Sequence, residues 1–116
     1  MDSKQLQQRT QQFALRIIRL AAALPSMRLG DVLGHPILRS RTSIGANNRE
    51  ALRASSRKHF FSTLQIVLRE ADETLYWLEL ILDSGTMKPS RLAPLVSECH
   101  ELVAIFVATV RTSKGR

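Results

Sequence analysis

Between Phe60 and Leu82 the apolar residues Phe60, Leu64, Val67, Ala71, Leu75, Leu78 and Leu82 recur at intervals of four and three. That spacing brings side chains back to one side of a helix, whereas a strand, with a period of two, would scatter them over both faces. Asp72, Tyr76, Glu79 and Asp83 lie on the opposite, polar face. A helix so long and one-sided must bury its stripe against other elements. Its expected span is 56–84, closed by Gly85, where a left-handed cap is wanted.

Three further segments can supply the partners. In the first, 3–24, Phe13, Ile17, Leu20 and Leu24 repeat at four, three and four, Ala14, Ile18 and Ala21 widen the stripe, and Pro25 ends it. The last, 90–112, carries Leu92, Val96, Cys99, Val103, Phe106 and Val110, with Leu95, Leu102 and Ile105 beside them. A stripe that wide covers more than one neighbour. Pro94 is read there as a first-turn proline, where a missing amide hydrogen costs little. The second segment, 29–54, is the weakest: its stripe Leu33, Ile37, Ser40, Ile44, Asn47 and Ala51 is partly polar, and Pro36 implies a start near His35. Short joints make sequence neighbours antiparallel. The expected fold is all-α, one domain over 1–116, an up-and-down four-helix bundle.

Size supports this, since 116 residues can bury roughly two-thirds of the unfolded surface in one core. Aromatics are only 5 %, and Leu, Ile, Val and Ala carry the apolar mass. The polar start, 1–9, does not read as a secretory leader. The runs 20–24 and 102–110 fall short of the ~20 residues a membrane span requires. The expectation is a cytoplasmic protein without membrane contact.

No constellation for catalysis stands out. His35, His59 and His100 lack metal-ligand spacing, Glu-x-x-His is absent, and so is a phosphate-cradling glycine loop. Cys99 is the only cysteine, and helix geometry turns it about 100° away from Glu98 and His100. It reads as a buried small hydrophobe. A protein that is not an enzyme and carries no cofactor or metal is expected.

Charge is more telling. Seventeen Lys and Arg, thirteen of them Arg, face ten Asp and Glu, for a net +7. Arg39, Arg41, Arg49, Arg53, Arg57 and Lys58 lie close in sequence with Glu50 the one acid among them, while 70–83 holds five acids and no base. Arg49, Arg53 and Arg57 step by four and would share a helical face. Such a cluster suits RNA or DNA phosphates; it equally suits the acidic third helix of another subunit. The small residues of the second helix, Ser40 to Ala54, point to close packing there, with Ser43 and Asn47 setting register or oligomer contacts and Asn47 largely buried.

The stretch Arg39-Ser40-Arg41-Thr42-Ser43-Ile44-Gly45-Ala46-Asn47 resembles the "four helix bundle protein" family, also called the 23S ribosomal RNA intervening-sequence proteins. The likeness continues through 9–18, 70–80 and 101–108 and so spans nearly the whole chain in order. It implies a bundle assembled as a homo-oligomeric ring of five, and leaves activity open. A similar fold in accessory proteins of diversity-generating retroelements implies an alternative role, a scaffold or accessory subunit, for example to a reverse transcriptase, with no nucleic-acid contact of its own. Arg41, Asn48 and Pro36 depart from the family pattern, which has Gly, an aromatic or Ile, and no proline at those places.

Overall fold

The computed structural model describes residues 2–23 and 44–114. Within them the chain is helical, with no strand. Helix α1 is Ser3–Ala23, the described part of α2 covers 44–52, α3 is Arg57–Ser84 and α4 is Pro89–Lys114. Pro36 and the expected start of the second helix lie outside the described residues.

Each boundary has a local cause. At the head of α1 the Asp2 amide donates to Gln5 Oε1 at 3.0 Å, and the Gln5 amide donates to Asp2 Oδ1 at 2.8 Å. This reciprocal pair satisfies two of the donors that a helix start leaves open. Ser56 caps α3, its hydroxyl accepting from the His59 amide at 3.1 Å. Gly85 ends the helix at φ 70°, as expected, and its amide donates to the Leu82 carbonyl. Helix α4 begins one residue before its expected start, so the first-turn proline is Pro89. Pro94 instead lies in the second turn, where it forfeits the amide bond that would reach the Ser90 carbonyl.

The core runs along the inner faces. Phe13 and Ile17 of α1, Ile44 and Ala51 of α2, Leu64, Val67, Ala71 and Leu78 of α3, and Leu92, Cys99, Leu102 and Phe106 of α4 are all essentially inaccessible. Burying each large aliphatic among them contributes about 1.5–3 kcal/mol. Helix α4 packs on both α3 and α1. Arg9 of α1 reaches Glu98 and Glu101 of α4, which fixes the antiparallel register of those two helices.

Two stripes shift from their expected course. A strict four-three alternation drifts relative to 3.6 residues per turn, and on α3 the fully buried place falls to Ile81 while Leu82 is only half-buried. On α1, Ile18 does not widen the core: it is 40 % exposed. Helix α4 corrects another expectation, because Pro89–Thr112 is long and apolar enough by composition to cross a membrane. Its inner stripe is bundle core, while Ala93, Ala104 and Ala108 face outward.

Candidate nucleic-acid interface

The end of α2 and the head of α3 meet in a tight joint. The amides of Arg53 and Ala54 reach back to the carbonyls of Glu50 and Ala51 at 3.1 and 3.2 Å, which closes α2 with a narrowed last turn. Two residues later the Ser56 cap opens α3. Around this joint Arg49, Arg53, Arg57 and Lys58 are all exposed.

The joint also breaks the step-of-four argument. Arg49 and Arg53 line one shallow recess with Ala46, Glu50, Ser55 and His59. Arg57 belongs to the next helix and lines a different recess, with Ser3, Leu52 and Phe60. The three arginines therefore ring one end of the bundle without sharing a helical face. Arg39, Arg41 and Ser43 lie outside the described residues.

Glu50, the lone acid of the cluster, pairs with neither Arg49 nor Arg53. Its Oε1 lies 3.3 Å from His59 Nε2, an exposed contact that ties α2 to α3. Neither Arg49 nor Arg53 forms an ion pair among the described residues. The first turn of α3 carries no acid, so Lys58 sits at the positive end of that helix, an arrangement that a nearby anion would relieve.

The structure moves the buried amide of α2 by one position. Asn48 is 1 % exposed, between Ile44 and Ala51 in the core, whereas Asn47 is only half-buried. Asn48 Nδ2 is enclosed without a hydrogen-bond partner. The cause is helical phase: from Ile44, a step of four reaches the core at Asn48 and a step of three then reaches Ala51. The small residues Gly45 and Ala46 beside it leave a groove open among the described residues. Gly45 and Ala46 border a groove with Gln7, Thr10, Gln11 and Ala14 of α1, and a Cβ at Gly45 would meet nothing within 4 Å.

Cys99 is fully buried, its Sγ 3.5 Å from the Ala71 carbonyl, while His100 is exposed. Burial, and after it the charges of Asp72, Glu79 and Glu98, push the thiol up to about 12. It is therefore no nucleophile at neutral pH. No group of three or more metal-ligating side chains occurs among the described residues.

A helical bundle with an exposed basic end is the class that these features define. The chain belongs to the 23S rRNA-intervening sequence protein family, whose model matches residues 3–108. It is similar to the crystal structure of a protein of unknown function from the S23 ribosomal protein family of Bacteroides thetaiotaomicron, at 35 % identity and a TM-score of 0.84 over 90 % of this chain and 97 % of that one. No curated protein matches it significantly.

Proposed function

We propose that this chain is a non-enzymatic, self-associating bundle protein that binds RNA or DNA through the basic joint of α2 and α3. The observation that carries the reading is the pair Arg49 and Arg53, exposed in one recess and without an ion-pair partner among the described residues. Side chains of this kind neutralise backbone phosphates and release counterions, an interaction indifferent to base sequence. Self-association rests on apolar surface the protomer leaves uncovered: Leu15 and Ile18 of α1, and the outward face of α4. Five copies in a ring is the favoured assembly, and the cytoplasm the favoured location.

A filter-binding salt series tests the reading. The logarithm of affinity should fall with the logarithm of salt by roughly 0.7 to 0.9 per neutralised phosphate. Replacing Arg49, Arg53 and Arg57 with Gln should flatten that slope and weaken binding to all sequences alike. Light scattering should give several times 13.1 kDa.

A second reading draws on the exposed acids of α3, Asp72, Glu73, Glu79 and Asp83. In it the same arginines meet a neighbour's α3, and the protein is a scaffold or accessory subunit. The triple variant would then loosen the oligomer, and nucleic acid would not bind even at about 50 mM salt, where phosphate contacts are strong.

A further inference from the structure

The seam between α1 and α4 pairs opposite charges at one level and brings like charges together at another. Arg9 meets Glu98 and Glu101. Seven residues further along α1 is Arg16, and seven residues back along antiparallel α4 is Arg91. At ~1.5 Å per residue both lie ~10 Å from the ion pair, on the same level. Here a cation faces a cation.

Arg16, Arg19 and Arg91 together line one cleft, with Leu20, Pro94 and Leu95 as its apolar floor and wall. Among the described residues the lining contains no carboxylate, and none of the three arginines forms an ion pair there. Lys88 is exposed just before the helix. The first turn of α4 contains no acid, so Arg91 also sits at the positive end of its own helix, where a cation is disfavoured. Three arginines lining one cleft raise its positive potential, which an anion between them would offset.

We propose that this cleft is a phosphate-binding site. Guanidinium forks match phosphate oxygens two at a time. The cleft, about 230 Å³, has room for a phosphate group with several waters at ~30 Å³ each. The site is separate from the basic joint: Ser3 neighbours Arg57 there, and Arg16 lies thirteen residues, ~20 Å, further along α1. It does not depend on the function proposed for that joint. The phosphate is either one of a nucleic-acid backbone, which would give the bundle two anchoring points on one strand, or one of a small phosphate compound.

Thermal unfolding of the full chain, at fixed protein concentration and matched ionic strength, tests the site with inorganic phosphate against chloride. Phosphate should raise the midpoint by about 5 °C at tenfold excess over its Kd. The rise should vanish in Arg16→Gln/Arg91→Gln and persist in Arg49→Gln/Arg53→Gln. In chloride alone the cleft variant should melt no lower than the wild type, since its loss relieves repulsion. Should that double variant fold poorly, Arg91→Gln alone, at an exposed position, should still lose most of the rise. Equal phosphate effects in wild type and cleft variants, or none in the wild type, would overturn the proposal. The source is read from a single-stranded oligonucleotide salt series on the same variants. A slope lowered by one or two phosphates in the cleft variant assigns the site to a nucleic-acid backbone. An unchanged slope, with the phosphate-dependent rise abolished, assigns it to a small phosphate compound. If only the Arg49→Gln/Arg53→Gln variant leaves oligonucleotide binding untouched, the function proposed for the joint fails and the cleft stands.

Discussion

Arg9 of α1 and Glu98 of α4 form a two-point contact, the guanidinium donating from Nε to Oε2 at 3.1 Å and from Nη2 to Oε1. Its Nη2 also reaches Glu101 at 3.2 Å. The side chains of Arg9 and Glu98 are 30 % and 18 % exposed, that of Glu101 65 %. The bond to Glu98 is the largest cause that holds the Arg9 guanidinium above the usual arginine range. From the arginine side its contribution is therefore present at all working pH values and lost only above that range. Glu98→Ala should lower stability by about 1 kcal/mol, the upper end for a partly exposed pair with two hydrogen bonds. Glu101→Ala should cost less than about 0.5 kcal/mol. Urea unfolding of both variants checks the order.

Asn48 offers a stabilising substitution. An enclosed amide nitrogen without a partner carries a penalty of about 1–3 kcal/mol, which an apolar side chain of similar volume avoids. Asn48→Leu should raise the unfolding free energy by an amount in that range. Asn47→Leu, at a half-buried place, should change it by no more than about 0.5 kcal/mol. A destabilised Asn48→Leu protein would mean that the amide has a partner across a subunit contact.

Cys99 links stability to alkaline pH. Its thiol ionises near the ordinary cysteine value in the unfolded chain but at about 12 in the fold. Between those values the unfolded state binds fewer protons, so stability falls as pH rises. The wild type should lose stability above about pH 9 relative to Cys99→Ala, which lacks this linkage. At neutral pH the native thiol should react with labelling reagents only as fast as the protein opens.

The two described glycines should respond to alanine with opposite signs. Neither has an atom within 4 Å of an added Cβ. Gly85 is at φ 70°, so Gly85→Ala should cost about 1 kcal/mol of backbone strain. Gly45 lies inside a helix with ordinary geometry, and Gly45→Ala should stabilise the protomer by about 0.5–1 kcal/mol. If the oligomer weakens while the protomer gains, another copy closes the groove beside α1.

Periodicity alone was enough for α1, α3 and α4, because a stripe with one polar back admits one orientation. That holds best for α3, whose exposed Asp72, Tyr76, Glu79 and Asp83 lie as their spacing requires, and for the cap at Gly85, a local backbone matter. Cys99 was legible for the same reason. In α2 the apolar signal is thin, and a one-residue change of phase exchanges Asn47 for Asn48; only packing against α1, α3 and α4 decides between them. The basic joint was legible as a charge cluster, but not its geometry: the turn at 53–56 separates Arg57 from Arg49 and Arg53, and turns act through backbone bonds that charge spacing does not reveal. Least legible was the cleft of Arg16, Arg19 and Arg91. Those residues are separated by some seventy positions and belong to helices that the chain connects only through two others. Antiparallel packing alone brings them together, because the Arg9 to Glu98 register sets every other pair along that seam.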